Sequence, residues 1–320
     1  MRRREFLGFA GGALISGSAG AAAQQVYRVA ILTPSHAQWQ PRTFRDALQE
    51  LGYREGGNLT IEVISGENDL DRLPKLAANL VATAPDVIVA VNTPGTRAAM
   101  AATSTIPIAS AAIADPVFLG IVSNIAKPDG NVTGVANLAA DITSKRIALL
   151  KEVAPSALRI ALFSHPDEPI TALQVKDAET NAAALGIEPK AFSMRTVEDL
   201  QSAVREAAQW NANAIVRLAG QGFALGADTG RLATDRGWPS MLLQRRDVEA
   251  GGLMSYFADQ RELWRRVAAQ VDRLLKGASP RDLPFELPTR FELVVNLKTA
   301  KTLNLNVSAS LLARADEVIE

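Results

Sequence analysis

Asp86-Val-Ile-Val-Ala-Val91 runs directly into Asn92-Thr93-Pro94-Gly95-Thr96, then an alanine-rich stretch, then Ile106-Pro-Ile-Ala-Ser-Ala-Ala-Ile-Ala-Asp115. Val87 to Val91 is a short β-branched run with no polar alternation, which describes a strand buried on both faces. Pro94 and Gly95 break it, and Thr93 or Thr96 is placed to cap the helix that follows. Ile106 to Ile113 is a second strand, ending at Asp115-Pro116. A strand-turn-helix-strand unit of this kind belongs to a parallel sheet, and such sheets bind ligands at the carboxyl ends of their strands. Asn92 to Thr96 and Asp115 both fall at such ends, so they form half of a small-molecule site, unless the Thr-Pro-Gly-Thr segment is turn chemistry alone.

The same grammar extends in both directions. Tyr27 to Thr33 is a first strand whose loop begins Pro34-Ser35-His36, and Gly52 ends the next helix. Leu59 to Ile64 is a strand and Asp69 to Thr83 a helix. After Asp115 come a short helical stretch, Val117 to Ile125, and an edge or crossover strand from Asn131 to Asn137. A second round follows: a helix over 142–153, a strand ending in Ser164-His165-Pro166, a helix reaching Leu185 before Gly186, then strand, helix, and a strand ending at Ala219-Gly220-Gln221-Gly222. Another helix leads to a strand over Met241 to Leu243. The tail departs from this order: a strand up to Tyr256, an amphipathic helix, an extended stretch marked by Pro280, Pro284 and Pro288, a strand over 291–296 and a final Ala/Leu-rich helix. That order suits a chain crossing between two α/β units more than once.

Composition narrows the chemistry. The 320 residues carry 34 basic and 34 acidic side chains, so neither nucleic acid nor an anionic membrane is the expected main partner. There is no cysteine, which removes thiol catalysis, thiolate metal sites and a lipidated cysteine anchor together. Two histidines, His36 and His165, are too few for a histidine-rich metal site, and no metal or cofactor is expected. Arg2-Arg3-Arg4-Glu5-Phe6-Leu7, a Gly/Ala/Ser-rich stretch and Ala21-Ala22-Ala23 read as a twin-arginine-type signal peptide cleaved after Ala23. The expected mature protein is exported and soluble.

Three constellations compete for function. Gly220-Gln-Gly222-Phe-Ala-Leu-Gly226 follows a strand and approaches a dinucleotide fingerprint, with Arg245 and Arg246 near where a 2′-phosphate would lie. That supports an exported NADP-dependent oxidoreductase, although the motif is one residue too long and sits on the third strand of its sheet. Ser35-His36 and Ser164-His165 each place a histidine in a strand-to-helix loop, where ligand contact is a better reading than catalysis, since no nucleophile elbow is present. Tyr256 reads either as a cleft hydrogen-bond donor or as a half-buried core tyrosine, and Trp39 as a residue closing over a ligand.

With these residues in view, the chain resembles the ABC-transporter substrate-binding proteins of the tryptophan/tyrosine-binding type. The likeness rests on Arg3-Arg-Glu-Phe6, Leu51-Gly-Tyr-Arg-Glu-Gly-Gly-Asn58, Asp71-Arg-Leu-Pro-Lys-Leu-Ala-Ala78, Asp115-Pro-Val117 with Gly120-Ile-Val122, Gly130-Asn-Val-Thr-Gly-Val135, Ala250-Gly-Gly-Leu-Met-Ser-Tyr256 and Leu311 to Glu320. It implies a type I periplasmic binding fold: two Rossmann-like lobes with parallel sheets, joined by a three-segment hinge, with ligand caught between them. The lobes would be 26–137 plus about 257–285, and 138–256 plus about 286–320. The resemblance implies a ligand site built from Ser35, His36, Asn92, Thr93, Gly95, Thr96, Asp115 and Asn137 in the first lobe and His165, Gly220, Gln244 and Tyr256 in the second. An amino-acid ligand would place its carboxylate at the helix start near Gly95 and its ammonium on Asp115. Gly220 stands where the family commonly has Asp, and Phe257 follows Tyr256 where it usually has Gly. The implied partners are a small molecule and an inner-membrane ABC permease, with a monomeric periplasmic protein between them.

Overall fold

Five strands, Tyr27–Thr33 (β1), Leu59–Ser65 (β2), Val87–Val91 (β3), Ile108–Ile113 (β4) and Val132–Ala136 (β5), form an all-parallel sheet in the order β2-β1-β3-β4-β5. The computed structural model describes residues 25–35, 42–138, 142–220 and 225–320. The signal segment, His36, Trp39 and Gln221-Gly222 lie outside the described residues.

Side chains sort by parity. Val87, Val89 and Val91 of β3 join Val29 and Ile31 of β1 on one face, against helices Arg42–Glu50 (α1) and Gln260–Leu275 (α9). Ile88, Ala90, Ala30 and Leu32 face the other way, against Leu73–Ala82 (α2) and Asn92–Ala102 (α3). A strand with both faces covered gains from apolar residues at every position, which is why Val87–Val91 shows no alternation.

The second sheet has seven strands in the order β12-β11-β10-β9-β8-β6-β7: Arg159–Ser164 (β6), Glu188–Ser193 (β7), Ala214–Arg217 (β8), Ser240–Leu242 (β9), Met254–Ala258 (β10), Phe291–Asn296 (β11) and Glu317–Ile319 (β12). Thr143–Val153 (α4) and Thr171–Leu185 (α5) cover one face, and Val197–Gln209 (α6) and Gly226–Asp235 (α7) the other. The sheet is not wholly parallel, because β11 runs antiparallel to β10. The chain leaves the second lobe along β10 to build α9 on the first sheet, and it must return the opposite way. The return is anchored to the first lobe: Glu286 N–H donates to Gly134 and Ala136 N–H to Glu286, both 2.9 Å. Thr133 Oγ1 also donates to the Leu283 carbonyl at 2.7 Å. With the passage from β5 to α4, that makes three crossings.

Two sequence expectations fail locally. Residues 117–125 form successive turns rather than a helix: Asp115 caps the first turn, and Gly120 adopts φ +66°, a conformation that ends helical winding. The C-terminal helix splits into Leu297–Thr302 (α10) and Ala309–Leu312 (α11) around Asn304 at φ +53°. Strand β12, three residues at a sheet edge, is too short to carry a periodic signal in the sequence.

Candidate functional site

The carboxyl ends of β3 and β4 set the floor of a cleft. Asn92, the first residue of α3, lies at φ +57°, and Ala112 at φ +61°. Left-handed backbone at two residues other than glycine costs energy and is held in place by its surroundings. At Ala112 the register between β4 and β5 shifts, and Asn137 holds the break: its Nδ2 donates to the Ala112 carbonyl at 2.9 Å, and its N–H to Ile113 at 2.8 Å.

Two small cavities meet on this floor and share Asn92, Ala112 and Asn137. One, of about 20 Å³, is closed from the second lobe by Glu168, Ile170, Ala219 and Gly220. The other, of about 50 Å³, is bounded by Ser35 and by Gln244, Arg246, Phe257, Gln260 and Trp264. The last five also border a wider opening of about 350 Å³ near the β9, β10 and α9 ends. The first-lobe core cluster continues without a break into Ile170, Ala219, Leu243 and Phe257, so the lobes are closed on each other. The two inner spaces are smaller than the few hundred cubic ångströms of a small-molecule pocket, and filling them with a ligand requires the lobes to part.

The second-lobe wall is positioned by one side chain. Gln174 of α5 is fully buried, donates from Nε2 to the Ala219 carbonyl at 2.8 Å and accepts the Ala219 N–H on Oε1 at 2.9 Å. This fixes the strand end beside Gly220. A Cβ built on Gly220 would meet Glu168, whose own Cβ and Cδ lie 3.1 Å from that point. The Glu168 side chain therefore occupies the room a side chain at 220 would take, and it is only 5% exposed.

The structure brings Ser35, Asn92, Thr93, Asn137, Gly220 and Gln244 to these cavities. Others of the expected set lie off them. Thr96 is fully buried; its hydroxyl donates to the Asn92 carbonyl at 2.9 Å and meets Ser110 Oγ at 2.8 Å, and no threonine hydroxyl caps α3. Gly95 backs onto the Leu32 carbonyl, 3.1 Å from where its Cβ would be. Asp115 Oδ1 accepts the N–H groups of Val117 and Phe118 at 3.0 and 2.9 Å. Tyr256 stacks on Phe291, ring centroids 5.6 Å apart, while its neighbour Phe257 faces the cleft, as alternation on a strand requires. His165 Nδ1 accepts the Asp167 N–H at 3.3 Å, and burial pulls its pKa below the usual imidazole range. Glu168, Ile170, Phe257, Gln260 and Trp264 were not read from sequence as site residues; for Glu168 the available signal was its place just past the β6 carboxyl end.

The dinucleotide reading of the 220–226 loop finds no support at the start of α7. A Cβ on Gly226, the first residue of α7, would run into the Asp247 carboxylate. Asp247 is buried, and burial pushes its pKa up to about 6. Asp247 takes the space beside the helix start, and it is flanked by Arg246, whose Nε lies 3.8 Å from Oδ1, and by the Arg217 charge. Beside it, desolvation depresses the fully buried Arg217, and desolvation with the Arg217 charge depresses Arg146. Among the described residues no group of three His, Asp or Glu side chains is arranged to hold a metal, and no helix is long and apolar enough to cross a membrane.

Comparison with known proteins agrees with this geometry. A tyrosine-binding protein of Clostridioides difficile is 26% identical over 273 residues, 82% of this chain and 75% of its own length. An ABC domain from Streptococcus pneumoniae, solved in complex with L-Trp, superposes with a TM-score of 0.83 at 26% identity, covering 92% of this chain and all of that one. A conserved domain protein from Vibrio cholerae reaches 0.85 at 25% identity with the same coverage. The ligand-free, open structure of a Clostridium difficile substrate-binding protein with adhesive properties gives 0.66 over 92% of this chain, at 23% identity. The model of one family, the ABC transporter substrate binding proteins, matches residues 30–319, and with two lobes closed over a shared cleft the chain belongs to that family.

Proposed function

We propose that this protein captures an amino-acid-like solute between its lobes outside the cytoplasm, in the periplasm, and presents the closed complex to an inner-membrane ABC permease as a monomer. The observation that carries this is the cleft itself: Asn92, Thr93 and Asn137 from one lobe face Glu168, Gly220 and Gln244 from the other. A site divided between two bodies is complete only when they close, so a ligand stabilises the closed form by its greater affinity for it. Tyrosine and tryptophan are the compounds named for relatives of this chain, which makes aromatic amino acids the first to try. The lobes are proposed as residues 26–137 with about 257–285, and 138–256 with about 286–320, flexing at the three crossings.

L-tyrosine and L-tryptophan are tested by calorimetry and thermal shift on the mature chain. Ligand at a hundredfold over its dissociation constant stabilises the fold by about 2.7 kcal/mol. Failure of both compounds to raise the melting temperature overturns the aromatic amino-acid reading, and turnover of either overturns the binding role.

A further inference from the structure

We infer that Gln244 reads the polar edge of the ligand's aromatic side chain, with the Phe257 ring as the apolar wall beside it. The inference rests on the aromatic amino-acid reading above and adds the residues that tell one such ligand from another. Both aromatic side chains that border the inner cavities, Phe257 and Trp264, lie on the larger one; the smaller is walled by small, aliphatic and polar residues. A ligand ring therefore finds flat apolar partners at the outer end, where the larger cavity and the opening of about 350 Å³ share their lining. The head group takes the inner end, where the hydroxyl of Thr93, a residue 4% exposed, has no partner among the described residues.

Phe257 is held where the chain passes between lobes. Strand alternation turns it toward the cleft, and it belongs to the apolar cluster that includes Ile170, Ala219 and Leu243. Two residues on, Asp259 caps α9 by accepting the N–H groups of Arg261 and Glu262 at 2.8 and 3.1 Å. Gln244 lies two residues past β9 and opens the short helix Arg245–Glu249. Its carbonyl accepts the Asp247 N–H at 3.0 Å, which fixes its backbone. Its half-buried side chain neither caps that helix nor bonds to any other described residue. Gln260, the other amide bordering this space, already donates from Nε2 to the Ala258 carbonyl at 3.0 Å. An unspent amide beside a phenyl ring matches an aromatic group that carries a hydroxyl or an N–H: its face on Phe257, its polar hydrogen on Gln244 Oε1. A ligand without that polar edge leaves the amide against apolar atoms and binds less tightly.

The experiment compares L-tyrosine with L-phenylalanine, and L-tryptophan with 3-benzothienyl-L-alanine, in which sulfur replaces the indole N–H. Calorimetry is run on the mature wild-type protein, Gln244→Leu and Phe257→Leu. In at least one pair, wild type binds the compound with the polar edge about 3- to 10-fold more tightly, the range for a neutral hydrogen bond. In Gln244→Leu that preference disappears, while affinity for the compound lacking the polar edge stays level or rises. Its melting temperature stays level too, since the amide bonds nothing in the protein. Phe257→Leu weakens every compound that binds by about 2- to 10-fold and keeps the preference, because ring contact is lost and Gln244 is not. No preference in wild type, a preference that survives Gln244→Leu, or wild-type affinities in Phe257→Leu overturns the inference and leaves the amino-acid reading standing. Binding of none of the four compounds to wild type overturns both.

Discussion

Gln174 and Ala219 are joined in both directions, the side-chain amide donating to the backbone carbonyl at 2.8 Å and accepting the backbone N–H at 2.9 Å. One helix side chain thereby satisfies both polar groups of a buried strand end and sets the loop that starts at Gly220. Gln174→Ala leaves a donor and an acceptor buried and unmet, so stability falls by about 2–4 kcal/mol in urea unfolding. Ligand affinity falls as well, because Gly220 and Glu168 lose their fixed spacing. Equal midpoints for wild type and variant would show that the Gln174 pairing adds nothing.

Two threonines near the start of α3 are expected to behave differently. Thr96→Val removes the hydroxyl that meets Ser110 and lowers stability by about 1 kcal/mol, with affinity nearly unchanged. Thr93 borders the cavity, so Thr93→Ala weakens binding while the apo melting temperature moves little. Paired calorimetry and melting curves separate the two, and a Thr96→Val variant that loses affinity at constant stability would contradict this assignment.

Asp115→Ala removes the acceptor for two backbone N–H groups at the start of the 116–122 turns. The cost is about 0.5–2 kcal/mol, as for a helix cap, and ligand affinity stays within about twofold. A large affinity loss at unchanged stability would return Asp115 to the site.

Asp247 gives the fold a pH dependence of defined sign. Burial raises its pKa from the usual 3.8 to about 6, so the folded state holds this proton more tightly than the unfolded chain. Its favourable contribution is complete below about pH 4 and is lost as pH rises through 6. Asp247→Asn keeps a neutral side chain at every pH, so relative to wild type it gains up to about 3 kcal/mol between pH 4 and 7. Urea midpoints for both proteins at pH 4, 5, 6 and 7 read this directly; a constant difference across the series would exclude it.

Ligand-driven closure is readable by scattering. If the solute bridges the lobes, L-tryptophan at saturation reduces the radius of gyration of any open population, and Asn137→Ala blunts the change by releasing Ala112 from its left-handed conformation. A profile insensitive to ligand would mean that the lobes stay closed throughout.

By itself the sequence determined the succession of strands and helices from β1 to α7 apart from the 117–125 turns, and with it the cleft-facing strand ends, because apolar runs such as Val87–Val91 and punctuation such as Gly186 encode local geometry directly. It also placed Ser35, Asn92, Thr93, Asn137, Gly220 and Gln244 near strand ends, where they border the cleft. Only the tertiary structure decided which hydroxyl is spent internally, which way Tyr256 points, and that Glu168 fills the room left at Gly220. Those outcomes depend on contacts between residues 14 to 52 positions apart, and a side chain's partner across such a gap is set by packing rather than by its neighbours in the chain.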